Sequence, residues 1–154
     1  MKYLDTSALI KYYSDESDEK GVKDVTDLFE SAKKGDDVLL STFFVVGEAI
    51  SVFDKRVRQR IITNEEFEIS IKKFLADIKD LTTKGALVLE PVTSSAIVLC
   101  VELIIRHHLS VNDALHLYTA LANKDVVELF VCSDDNLLKA AKAEGLNVFN
   151  PEES

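Results

Sequence analysis

The chain has 154 residues, 47% hydrophobic and 29% charged, with two prolines and five glycines, which excludes a collagen-like or disordered chain and suits one folded domain. Its formal net charge of −9 excludes nucleic-acid attraction by bulk positive charge, but not a local basic patch beside an acidic site. Two distant cysteines, Cys100 and Cys132, form neither a CxxC pair nor a disulfide framework, the usage of a reducing compartment. Asp5 and Lys11 interrupt any signal-peptide core, and the longest apolar run, 96–105, contains Glu102 and is too short for a bilayer. The expectation is a cytoplasmic chain with no membrane contact.

The first predicted element is a short strand at 2–4, ended by Asp5. Thr6 and Ser7 then cap a short helix over 8–13. An acidic stretch at 15–19 opens a second helix with Val22, Val25, Leu28 and Phe29 at helical spacing, and Gly35 stops it. A second strand covers 38–40. Ser41 or Thr42 caps a third helix that carries Glu48, aligns Val45, Ala49, Val52 and Phe53 in one stripe, and continues toward Ile61. Thr63 and Glu66 fit a capping box for a fourth helix over 64–80. Its stripe of Phe67, Ile71, Phe74, Leu75 and Ile78 suits either the core or a dimer interface.

Gly85 precedes a third strand at 86–89, which Pro91 bars from continuing. A fifth helix is predicted over 93–108, and a sixth starts at Ser110 or Asn112 and ends near Asn123. The clearest strand is 126–131. Ser133 caps a seventh helix over 134–144, closed by Gly145, before a last short strand at 147–149. Short apolar strands alternating with amphipathic helices predict an α/β fold with a parallel sheet covered on both faces. With no repeat, linker or low-complexity segment, 1–154 is expected to be a single domain.

Open parallel sheets bind ligands beyond the carboxyl ends of their strands. Four acids stand in such places: Asp5 after the first strand, Glu48 early in the helix after the second, Asp113 in the first turn of the sixth helix, and Asp134 after the fourth strand. Each has a plainer use. Asp113 and Asp134 gain about 0.3–1 kcal/mol from a helix N-terminus, Asp5 can simply start a helix, and Glu48 can point to solvent. Carboxylates gathered in one pocket resist ionising together unless a cation joins them. Magnesium and manganese accept oxygen ligands, lower the pKa of water and stabilise charge on phosphate oxygens. Four acids without a convergent His or Cys set therefore point to metal-assisted phosphodiester hydrolysis, with one or two Mg²⁺ or Mn²⁺ ions per site.

The segment Tyr3-Leu4-Asp5-Thr6-Ser7-Ala8-Leu9-Ile10 resembles the opening of a PIN domain. Val111-Asn112-Asp113-Ala114-Leu115-His116-Leu117-Tyr118-Thr119-Ala120 resembles that family's third motif. Ser133-Asp134-Asp135-Asn136-Leu137-Leu138-Lys139-Ala140-Ala141, with Gly145 and Asn150-Pro151 beyond, is similar to its C-terminal end, and Glu48 after Ser41 takes the place of the second motif. The resemblance implies an α/β/α sandwich with a central parallel sheet, and a Mg²⁺- or Mn²⁺-dependent ribonuclease. It further implies a VapC-type toxin that dimerises and is silenced by a protein antitoxin. It makes Asp5, Glu48, Asp113 and Asp134 the catalytic, metal-binding acids, and Thr6 a hydroxyl that orients a carboxylate, with Ser133 beside it as a second supporting group. One departure is Cys132, where the family often has Thr.

Contacts to RNA are expected from Lys11 and from Arg56, Arg58 and Arg60, which with Lys55 form the best basic patch. The plainer use of the arginine run is a solvated helix end, and a protein interface is a further use. His107 and His108 are expected to face solvent. His116, three residues after Asp113, sits on a neighbouring helical face with no zinc spacing to support it. Tyr3, Tyr12, Tyr13 and Tyr118 are expected to pack. Phosphate-cradling glycine motifs and a GxSxG elbow are absent, and Ser7 stands where a phospho-aspartate enzyme would carry its second acid. The remaining alternative is a PIN-fold binding, scaffolding or RNA-processing subunit with weak or no catalysis.

Overall fold

A computed structural model of the chain describes residues 1–13 and 20–153. In order, the elements are β1 (Lys2–Leu4), α1 (Thr6–Lys11), α2 (Val22–Lys34), β2 (Leu39–Thr42), α3 (Phe44–Arg58), α4 (Asn64–Thr83), β3 (Leu87–Glu90), α5 (Ser94–Leu99), α6 (Val101–His107), α7 (Val111–Ala122), β4 (Leu129–Val131), α8 (Asp135–Ala143) and β5 (Val148–Phe149). A 3-10 turn at Pro151–Glu153 follows. The predicted acidic opening of the second helix, 15–19, lies outside the described residues.

All five strands are parallel, in the order β3-β2-β1-β4-β5. Side chains alternate between the two faces of a strand, and the core divides accordingly. Leu4, Leu39, Leu87 and Val131 join Val25, Phe29, Val45, Ala49, Phe53 and Phe74 under α1–α4. Tyr3, Leu40, Phe130 and Cys132 join Ala96, Leu103, Leu117 and Leu137 under α5–α8. The result is the expected α/β/α sandwich. Strands of two to four residues suffice because parallel pairing and both helical layers bury the central strands, β2 fully and β1 and β4 at two of three residues, while β3 and β5 at the edges stay mostly half-buried.

Several local expectations are corrected. The first helix starts at Thr6 and ends at Lys11, because Asp5, not Thr6 or Ser7, supplies the capping oxygen. The third helix has no side-chain cap: Ser41 is in β2 and donates its hydroxyl to Leu4 O at 2.7 Å, while Phe43 is the cap residue. Thr63 and Glu66 do form the capping box. The α4 stripe faces the core through Phe74, Ile78 and Leu81, but Leu75 points outward. The predicted helix over 93–108 is two helices. Cys100 Sγ donates to Ile97 O at 3.1 Å, the carbonyl that a continuous helix would offer to Val101 N–H. His107 does not face solvent; its Nε2 lies 2.7 Å from Glu144 Oε1, whereas His108 is exposed in a left-handed C-cap. Asp134, not Ser133, caps the last helix.

Gly21 and Gly35 both hold positive φ, 82° and 83°, at the two ends of α2. A Cβ on Gly35 would meet open space, but one on Gly21 would lie 2.7 Å from the backbone carbonyl of Pro151. We expect Gly35→Ala to cost only the left-handed strain. Gly21→Ala should cost about 1–3 kcal/mol beyond that by displacing the terminal turn. Thermal unfolding of both variants checks the difference; equal midpoints would show that the Pro151 contact contributes nothing.

Candidate active site

Strand order reverses between β1 and β4, the place where open parallel sheets bind ligands. Asp5 is the first residue past β1. Its backbone is extended, and its Oδ1 accepts from Ala8 N–H at 2.9 Å, capping α1. Ser7 Oγ lies 2.8 and 2.9 Å from the two carboxylate oxygens, and Cys132 Sγ donates to Oδ2 at 3.2 Å. This cage holds the side chain in one rotamer. Asp5 is only 5% exposed. Burial pushes its carboxyl above the ordinary value, against the charge of His116 and the bonds from Ala8, Ser7 and Cys132.

The end of β4 completes the cage. Ser133 N–H donates to Ser7 Oγ at 2.9 Å, tying the two strand ends together. Asp134 N–H donates to Cys132 Sγ at 3.2 Å, and Asp134 Oδ1 accepts from Leu137 N–H at 2.9 Å as the cap of α8. Burial, with Asp5 beside it, pushes the Cys132 thiol well above its usual range. The thiol therefore keeps its proton and serves as a hydrogen-bond donor. Ser133 Oγ is buried without a hydrogen-bond partner among the described residues.

Glu48 reaches the same end of the sheet from the second turn of α3. Its Oε2 accepts from Thr6 Oγ1, and His116 Nε2 lies 2.8 Å from the same oxygen. Burial pushes the Glu48 carboxyl up, but the bonds from His116, Thr6 and Asn112 and the charge of His116 outweigh it and hold it below its ordinary value. Asp113 is half-buried in the first turn of α7, where Ser110 Oγ donates to its Oδ2 at 2.7 Å.

Bonds thus link Asp5, Cys132, Ser133 and Asp134 across the two central strands, and link Thr6 to Glu48 and α7. The cations are placed differently. Lys11 is 6% exposed, and its ammonium meets Glu152 Oε1 at 2.7 Å. Arg56 and Arg58 lie about 12 and 15 Å beyond Glu48 along α3 at 1.5 Å per residue. Arg58 pairs with Asp54 at 2.8 Å, and Arg60 ends that region with a left-handed φ of 58°. Sequence reasoning missed Tyr3 and His116 as polar participants. It also missed Lys20 and Lys139, which line a polar cavity of about 560 Å³ with Ser133, Asp134, Asn136 and Asn150.

Among the described residues, no three His, Cys, Asp or Glu side chains stand together in metal-holding geometry. The donor set nonetheless fits a hydrated hard cation. It offers carboxylate oxygens, and among the described residues no lysine or arginine forms an ion pair with Asp5, Asp113 or Asp134. Mg²⁺ in particular is held through one or two carboxylates and several waters, so wide spacing suits it.

A parallel α/β/α sandwich with acids at its switch point defines the class. The chain belongs to the PIN domain family, whose profile matches residues 2–143. PIN domains are in general metal-dependent nucleases. The fold is similar to that of a chain in a structure of FitAB bound to the IR36 DNA fragment, with 16% identity and a TM-score of 0.65 over 99% of this chain and 96% of that one. It is also similar to a chain of FitAcB from Neisseria gonorrhoeae, with 18% identity and a TM-score of 0.59 over 98% of each. At these identities the likeness is one of fold. No curated protein sequence matches.

Because the folded-state pKa of Asp5 is raised, its charge costs stability at neutral pH, and that cost fades as pH falls through the folded value. Asparagine keeps the capping acceptor and removes the charge. Asp5→Asn should therefore leave the metal-free midpoint at pH 7 unchanged or raise it by up to about 4 °C. The gap to wild type should close on acidification. A large fall in the midpoint would show instead that the ionised carboxylate stabilises the fold.

Proposed function

We propose that the chain is a Mg²⁺- or Mn²⁺-dependent endoribonuclease acting as the toxin of a toxin–antitoxin pair. The observation that carries this reading is the buried Asp5 carboxylate. It sits at the switch point without a lysine or arginine partner among the described residues, joined through Ser7 and Cys132 to the strand end that bears Asp134. Asp5, Glu48, Asp113 and Asp134 would hold one or two cations. When bound, such a cation acts as a Lewis acid toward a phosphodiester and lowers the pKa of water.

The surrounding residues do the positioning. Ser7 and Cys132 fix Asp5, and Thr6 fixes Glu48. Ser133 Oγ, buried without a protein partner among the described residues, has a proton available for an internal water. Lys20 and Lys139 contact phosphates of the flanking nucleotides from the polar cavity beside Asp134. Arg56, Arg58 and Arg60 meet a longer RNA at the far end of α3, and Lys11 joins them only if Glu152 gives way.

The FitAB structure bound to DNA supports a protein antitoxin as partner. For self-association, α5 and α6 present Ile97, Val98, Leu99, Val101 and Ile105 to solvent, with Val98 68% and Ile105 70% exposed. Clustered exposure of this kind marks an interaction face, and a second copy is the occupant we assign. The paired substitution Val98→Asp and Ile105→Asp should convert a dimer to a monomer by light scattering without changing the fold. A wild-type monomer at all concentrations would remove this assignment.

Cleavage of RNA by the purified protein, with Mn²⁺ or Mg²⁺ and against EDTA, tests the activity. Asp5→Asn and Glu48→Gln should each reduce the rate by more than about 100-fold, while both variants stay folded. Absence of both cleavage and metal uptake would favour the binding or scaffolding reading.

A further inference from the structure

Two buried polar side chains beside Glu48 have so far been given no role of their own. Tyr3 is fully buried in β1 and faces the α5–α8 layer, and His116 is 3% exposed on α7. The α7 neighbours of His116, Ala114, Leu115, Leu117 and Ala120, are all buried and apolar. Such a surface has no packing need for an imidazole, and a buried ring nitrogen requires partners. Both nitrogens have them. Nδ1 lies 2.8 Å from Tyr3 Oη, and Nε2 lies 2.8 Å from Glu48 Oε2 and 3.2 Å from Thr6 Oγ1.

Elementary chemistry orients this chain. An ionised Glu48 can only accept, so Nε2 carries a hydrogen and donates it. Tyr3 keeps its proton because burial pushes the phenol well above its ordinary range. It can donate to Nδ1 of a neutral ring or accept from a charged one, and Nε2–H points at Glu48 in either case. The Tyr3 ring is itself fixed, stacked on Phe130 with centroids 5.1 Å apart.

The geometry points to Tyr3 and His116 as positioning residues that set the orientation of the Glu48 carboxylate for a cation. His116 is three residues after Asp113, so the same bond fixes the spacing between the acid of α3 and the acid of α7. Thr6 and His116 approach one oxygen from different elements, which removes the swing of a long, flexible side chain. This inference rests on the metal-centre reading and adds the residues that shape it. Supporting groups of this kind typically contribute 10–100-fold to metal affinity.

The test uses metal-free full-length protein, titrated with Mn²⁺ by calorimetry, alongside thermal unfolding. His116→Phe keeps a flat ring and removes both bonds, and should weaken Mn²⁺ binding by about 10–100-fold. His116→Gln restores an N–H donor toward Glu48 and should stay within about threefold of wild type. Tyr3→Phe frees the ring from its anchor and should fall between them. In the wild type, a slowly exchanging imidazole N–H resonance of His116 that shifts in Glu48→Gln should report the bond directly. Folded His116→Phe with wild-type affinity would overturn the inference, as would His116→Gln as weak as His116→Phe, which would show a packing role alone. If His116→Phe does not fold, unaltered affinity in Tyr3→Phe together with a rapidly exchanging imidazole N–H would overturn it. Wild-type protein that takes up no Mn²⁺ would overturn the metal-centre reading, and this inference with it. Normal wild-type uptake with unaffected variants would overturn this inference alone.

Discussion

A carboxylate buried at the carboxyl end of the central strand is the constraint around which this molecule is arranged. Asp5 ends β1 at the middle of the strand order, so all its neighbours are strand ends and helix starts. Desolvation would disfavour its charge. The chain answers with short donors: an amide from α1, a serine hydroxyl two residues on, and a thiol from β4. None of them carries a full positive charge, so the site retains its negative potential while the side chain is held still. Capping and site formation are here one interaction. The bond that starts α1 also fixes the rotamer that faces the crevice.

The second acid is held by different means. Glu48 lies within α3, where no capping geometry could immobilise it, and its tether comes from two other elements. Strand alternation matters here. Leu4 faces the α1–α4 layer, so Tyr3 must face α7, where it meets His116. A shift of β1 by one residue would send the phenol to the wrong layer and leave a ring nitrogen unpaired in an apolar interior. The fold and the orientation of Glu48 therefore depend on the same register.

Much of the architecture was legible because it follows from periodicity: short apolar runs alternating with amphipathic helices admit few folds, and two of the four acids, Asp5 and Asp134, fell just past strand ends. What escaped was set by contacts between residues distant in sequence. Asp5 outcompetes Thr6 and Ser7 as a cap because its carboxylate reaches Ala8 N–H directly, and a cluster of three capping residues does not rank itself. The break at Cys100 carries no glycine or proline; what the structure shows there is a thiol bonded to the Ile97 carbonyl. His116 sits among apolar residues, and its meaning depends on partners 113 and 68 residues away. Lys11, which sequence position places near Asp5, is drawn to Glu152 by a terminal turn that packs on Gly21.

The charge of the chain bears on how a polyanion could approach this site. At −9 the surface as a whole repels RNA, but at physiological ionic strength charges beyond about 8 Å are largely screened. The balance at the crevice then depends on what lies within a few residues of Asp134. That neighbourhood holds Lys20 and Lys139 but also Asp135, Glu152 and Glu153. So few cations can neutralise only a few phosphates, and each neutralised phosphate contributes to both affinity and salt sensitivity. An RNA bound here would gain little from backbone charge alone. Recognition would have to come from the cation at the acids and from the shape of a short segment seated in the polar cavity. That is a demand for selectivity rather than for tight general binding, and it follows from the same excess of acids on which the proposed metal centre rests.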